Sequence, residues 1–160
     1  MSAQTEQRTA GRELVSDQFF KRLSLRVATS SQLAPELADR ITGQALAYLA
    51  TAAQKPPTSP TLYMSPLVDH GWHAFLEYTR EYDAFFASHG WPKVHHNPCD
   101  GAGITYPPAR DVLPLTTQAI EATGFAVDLD LWDASKIDCG DTCGDDGKGG
   151  NPLPTCEHST

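Results

Sequence analysis

The sequence predicts an all-α fold: a compact bundle of about four helices, with a long ordered loop after the third helix and a flexible C-terminal tail. Three observations lead to that expectation. Apolar residues recur at three- and four-residue steps in four separate stretches, the spacing that places them on one face of a helix. Proline and glycine clusters separate those stretches at points where a helix must stop. A chain of 160 residues, 40% hydrophobic and 20% charged, suits one domain with its own core rather than a disordered polymer. The expected division is a mobile leader over residues 1–10, a helical domain over 11–135 and a Gly/Asp/Cys-rich tail over 136–160.

Met1 to Ala10 carries no periodic apolar positions. After Gly11, residues Leu14, Val15, Phe19, Leu23 and Val27 share one helical face and leave Lys21, Arg22 and Arg26 to water. Ser30-Ser31 breaks this pattern. Pro35 then fits the first turn of a second amphipathic helix, where its missing N–H costs nothing, and Leu37, Ile41, Ala45, Tyr48, Leu49 and Ala52 form the apolar face. The run KPPTSPT from Lys55 to Thr61 removes backbone donors and favours extended conformations, so it is a stiff connector.

Ser65-Pro66 is a helix start, a hydroxyl to cap free N–H groups followed by a proline at the first helical position. The third helix is predicted to run to Ser88 with Val68, Trp72, Phe75, Thr79, Tyr82 and Phe86 on its core face, and Gly90 is the expected stop. An irregular loop follows, through His95, His96 and Pro98 to Pro107-Pro108. Asp111 to Ala122 is predicted as a fourth helix with Val112, Leu115, Ala119 and Ile120 inward. Gly124 ends it, and Phe125, Val127, Leu131 and Trp132 close the core.

The formal net charge is −8 with a pI near 5.0, and no run of Lys or Arg is available to neutralise phosphates. That argues against nucleic acid as a partner. The first thirty residues hold no apolar stretch long enough for a signal peptide or a membrane span, so the expected location is cytoplasmic with no membrane association. No nucleophile elbow, phosphate loop or dinucleotide fingerprint occurs. Cys99, Cys139, Cys143 and Cys156 are too unevenly placed to define a disulfide framework.

The chemistry concentrates between Asp69 and His96. Asp69 and His73 lie one helical turn apart on the flank of the apolar stripe, where a carboxylate and an imidazole can converge on one ion. Further ligands must come from another segment, and the loop pair His95 and His96 is the obvious donor. Neighbours in an extended loop project to opposite sides, so one of the two binds while the other caps or packs. His70 points away from the core stripe, near Glu77, and is the weaker candidate.

This set predicts a divalent metal ion, zinc, iron or copper. Catalysis is left unassigned, with Glu77, Tyr78 and Arg80 as polar groups that would assist a metal-activated water or bound oxygen. The same residues also read as structure. Asp69 would then pair with His73 or Arg80, His96 would hydrogen-bond the third helix, and the aromatic residues would only pack. On that alternative the protein is a non-catalytic interaction module whose acidic, cysteine-containing tail contacts a partner.

Within the tail, Cys139, Cys143, Cys156 and His158 supply enough thiols and imidazole for tetrahedral zinc, but their spacing is not that of a standard knuckle. They form a weaker, second metal candidate. Asp138, Asp141, Asp145 and Asp146 lack the alternating positions and final glutamate of a calcium loop.

The stretch VDHGWHAFLEYTREYDAFF, followed by HHNP, resembles the core of the glycine-rich domain-containing-like proteins and related uncharacterised bacterial proteins. The pattern is an Asp-x-x-Trp-His helix followed by a His-His-x-Pro loop. It falls here on Asp69, Trp72, His73 and Tyr82, then on His95, His96 and Pro98. The later ATGFAVDLDLW is similar to the ending of the same group. The resemblance implies a helical domain carrying a site, without an established reaction. This chain has a short Gly/Cys/Asp tail where longer relatives carry a glycine-rich extension.

Overall fold

A computed structural model describes residues 7–97, 107–136 and 144–145. Within them the chain is mainly helical: α1 (Asp17–Ser31), α2 (Pro35–Gln54), α3 (Pro66–Leu76), α4 (Thr79–His89) and α5 (Ala109–Ala122), with short 3-10 turns at Gly11–Leu14, Leu129–Trp132 and Ala134–Lys136. The all-α expectation is met, with five helices where about four were expected.

Local chemistry explains most boundaries. Ser16 caps α1, its Oγ accepting from the Phe19 N–H at 3.2 Å, so the helix starts six residues after Gly11 and the intervening residues form a tighter turn. Pro35 occupies the first turn of α2, and Ser65 Oγ accepts from the Val68 N–H at 3.2 Å to start α3. Gly90 ends α4 in the left-handed region at φ 69°. The Trp91 N–H returns to the Phe86 carbonyl and the Gly90 N–H to that of Ala87, the Schellman arrangement that only a glycine enters without strain.

The predicted single third helix is divided. Glu77 and Tyr78 donate to the carbonyls three residues back, those of Ala74 and Phe75, and Tyr78 leaves the helical region at φ −91°, ψ 67°. The cause is tertiary. Tyr78 packs edge-on against Phe19 of α1, with ring centroids 5.5 Å apart and the Arg22 guanidinium 5.4 Å from its ring, while Arg26 Nε donates to the Glu77 carboxylate at 2.7 Å. Thr79, expected in the core, opens α4 and is exposed; Val68, Trp72, Phe75, Tyr82 and Phe86 are buried as expected.

Helix α2 is the centre of the molecule, with α1, α3, α5 and the 3-10 turn at Gly11–Leu14 around it. Its first half is amphipathic as expected, with Glu36, Asp39 and Arg40 exposed and Ala38 and Ile41 buried, while from Ala45 to Ala53 every residue is buried. Its alanines permit close approach: a Cβ on Gly71 of α3 would lie 2.7 Å from Ala45 Cβ. In α5 the inward residues are Val112, Leu113, Thr116 and Ile120, whereas Leu115, expected inward, is 50% exposed. Leu113, Thr116 and Ile120 follow the helical step, and the Thr116 hydroxyl holds the extended connector by donating to the Tyr63 carbonyl at 2.8 Å. Phe125, Leu131 and Trp132 close the core as expected.

The end of the expected leader is tied in. Thr9 donates to the Gly124 carbonyl at 2.9 Å and accepts from the Ala126 N–H at 3.0 Å, and Arg8 pairs with Glu121. Two short strands complete the architecture. β1 (His96–Asn97) pairs antiparallel with β2 (Gly144–Asp145), His96 opposite Asp145 and Asn97 opposite Gly144. Among the described residues no helix is long and apolar enough to cross a membrane.

Candidate metal centre

Two elements build the site. Asp69 lies in the first turn of α3, where the positive end of the helix favours a carboxylate, and His73 follows one turn later. The third member arrives from β1, and its placement starts in the core. The buried Trp72 Nε1–H donates to the Tyr82 hydroxyl at 2.9 Å, and that hydroxyl donates to the Val94 carbonyl at 2.6 Å. The chain after α4 is thereby pinned two residues before His96.

His96 then turns inward. Its ring lies edge-on to Trp72 and to His73, each with centroids 4.5 Å apart, and its side chain is 8% exposed. Nε2 of His96 is 3.2 Å from Oδ1 of Asp69, and Nε2 of His73 is 3.0 Å from Oδ2 of the same carboxylate. Donor atoms of the three side chains all lie within 4.8 Å of one another. Asp69 is 15% exposed and His73 58%, so the cluster is walled on the Trp72 side and open to solvent at His73.

Donors bound tetrahedrally at about 2.1 Å stand roughly 3.4 Å apart. Both Asp69–His edges are a few tenths of an ångström shorter than that. Each imidazole aims Nε2 at the carboxylate, so a ring protonated there donates a hydrogen bond. The Nδ1–H tautomer instead presents a lone pair to an ion in the same place. The arrangement therefore supports either an Asp–His–His hydrogen-bonded clamp or a two-histidine, one-carboxylate metal site.

The other sequence-predicted residues separate from this cluster. His95 is exposed and lines, with Leu76, Thr79, Tyr82, Asp83, Lys93, Val94 and His96, a cleft of about 210 Å³ beside it. His70 is exposed, with Nδ1 3.0 Å from Ser31 Oγ of α1. Glu77 is held by Arg26 and Tyr78 packs on Phe19 and Arg22, both turned toward α1, while Arg80 is exposed. Cys99, Cys139, Cys143, Cys156 and His158 lie outside the described residues, and so does Pro98 of the loop motif.

Sequence reasoning placed Trp72 and Tyr82 on the core face but missed that their polar atoms position the loop. A signal was present, since a buried tyrosine or indole must find a hydrogen-bond partner.

Fold and cluster together define an all-α protein with a partly buried Asp-His-His group joining a helix to the strand that follows its neighbour. No family model, curated protein or solved structure matches the chain.

Proposed function

We propose that this chain is a metal-binding helical protein in which Asp69, His73 and His96 hold a divalent zinc, iron or copper ion. The observation that carries this reading is the convergence of two imidazole Nε2 atoms on one carboxylate, 3.0 and 3.2 Å away, from two different segments. Three protein ligands leave coordination positions open, the arrangement that activates a bound water or admits oxygen. Action as a small metalloenzyme is the catalytic form of this proposal, with no reaction assigned. Kinship with the glycine-rich domain-containing-like proteins belongs to the same proposal and rests on Asp69, Trp72, His73 and the His95-His96-Asn97-Pro98 run.

Elemental mass spectrometry of the purified chain tests the reading. Asp69→Ala, His73→Ala and His96→Ala are each expected to lose most of the bound metal. Metal content unchanged in all three variants removes the proposal. Loss confined to Cys143 or Cys156 substitutions moves the site to the tail.

A second reading has its own support. Both imidazoles already have Asp69 as a hydrogen-bond partner, so the trio is satisfied as a structural clamp within a non-catalytic interaction module. That reading expects the three substitutions to lower stability equally with and without added metal.

A further inference from the structure

His96 is the one member of the cluster that no helix carries. Its backbone lies in β1, and the strand paired with β1 comes from the C-terminal tail, with Asp145 in register opposite His96 and Gly144 opposite Asn97. Building on the metal reading above, we propose that this tail strand belongs to the site. It acts as a strap whose docking on β1 and the filling of the Asp69–His73–His96 cluster by a divalent cation each promote the other.

A two-residue ladder is too short to persist by itself, so its stability depends on what else immobilises His96. Coordination of the His96 imidazole does that: it restricts the backbone of residue 96, and part of the ordering cost of pairing has then already been met by the ion. The reverse also holds. A docked β2 keeps residue 96 extended between the Val94 anchor and the rest of the strand, so less freedom remains to be lost when the ion is captured.

Charge acts in the same direction. One carboxylate and two neutral imidazoles leave a bound dication with a net charge of about +1. β2 itself bears Asp145, so screened attraction to an occupied site adds a small part to the pairing. Thermodynamic linkage requires the same factor in both directions.

The test uses the full chain and zinc as the probe. Gly144→Pro combined with Asp145→Pro removes both backbone donors of β2 and leaves every cluster residue in place. Zinc affinity, read by competition with a chelator, is expected to fall about tenfold in the double variant. Hydrogen exchange at residues 144 and 145 is expected to slow on zinc addition in the parent and to stay unchanged in His96→Ala. Asp145→Asn is expected to keep affinity within about twofold of the parent, because the pairing is made by the backbone.

Equal zinc affinity in the parent and the double-proline variant overturns this inference alone. A loss in Asp145→Asn as large as that of the double variant also overturns it, because the coupling would then belong to the carboxylate. A parent chain that binds no zinc overturns the metal reading and the strap together.

Discussion

Tyr82 shows how one hydroxyl decides which histidine enters the site. It is 2% exposed, accepts from the Trp72 indole and donates to the Val94 carbonyl. Val94 fixed in this way leaves His95 on the solvent side and His96 on the Trp72 side, because successive residues of an extended chain alternate. Tyr82→Phe removes the bridge and strands a buried donor and a buried acceptor, each costing about 1–3 kcal/mol. The expected result is a stability loss of about 3 kcal/mol in urea, with hydrogen exchange over residues 91–96 accelerated in the native state. A variant that is uniformly less stable without that local acceleration would show that Tyr82 packs but does not position. Asp69 and His73 were legible from spacing alone, since four residues on a helix make one turn. The choice between His95 and His96 was not, because alternation says that they diverge and only the Val94 anchor says in which direction.

At the scale of helices, periodicity and capping chemistry located α1, α2, α5 and the start of α3, because those signals are local. The division at Tyr78 left no such mark. No glycine or proline lies between Trp72 and Ser88, and the bend comes from Phe19, Arg22 and Arg26 of α1, more than fifty residues away in sequence. The exchange of Leu115 for Leu113 in the core of α5 has a similar origin: both fit a helical stripe, and the buried Thr116 sets which stripe faces inward. Packing of α3 on α2 yields a prediction. Gly71 faces Ala45 so closely that an added Cβ would stand 2.7 Å from Ala45 Cβ and 3.2 Å from the Ile41 carbonyl oxygen. Neither neighbour is a flexible side-chain end. Gly71→Ala is therefore expected to destabilise by about 2 kcal/mol despite the better helix propensity of alanine. Adding Ala45→Gly should recover part of the loss, a non-additivity that a double-mutant cycle detects. Simple additivity would mean that the helices move apart without strain.

At the largest scale, α2 organises the segment that follows α5 as well as the core. Arg40 near its start grips the Asp128 carboxylate with two hydrogen bonds, at 2.6 and 2.9 Å, and reaches Asp130 at 3.4 Å; the Asp128 bond above all holds the guanidinium above its ordinary pKa. One turn later Gln44 performs the buried part of the same task. Its Oε1 accepts from the Trp132 indole at 2.8 Å and from the Asp128 N–H at 3.1 Å, and its Nε2 donates to the Ala126 carbonyl at 3.0 Å. Residues 126–132 thus close over α2 through one amide, with Trp132 stacked beside Tyr48 at 6.3 Å. Gln44→Leu keeps the volume and leaves three polar groups without that partner. At about 1–3 kcal/mol for each group, reduced where water can replace the amide, the expected loss is about 4 kcal/mol, a large share of the 5–15 kcal/mol typical of a domain. Trp132 belongs to the same continuous core cluster as Tyr48 and Trp72. The chain should therefore still unfold in one step, at lower urea but with an unchanged denaturant slope, and tryptophan fluorescence and far-UV circular dichroism should coincide. A separate early fluorescence phase in the variant would instead identify residues 126–132 as a flap that detaches from an intact helical core, and Gln44 as its latch alone.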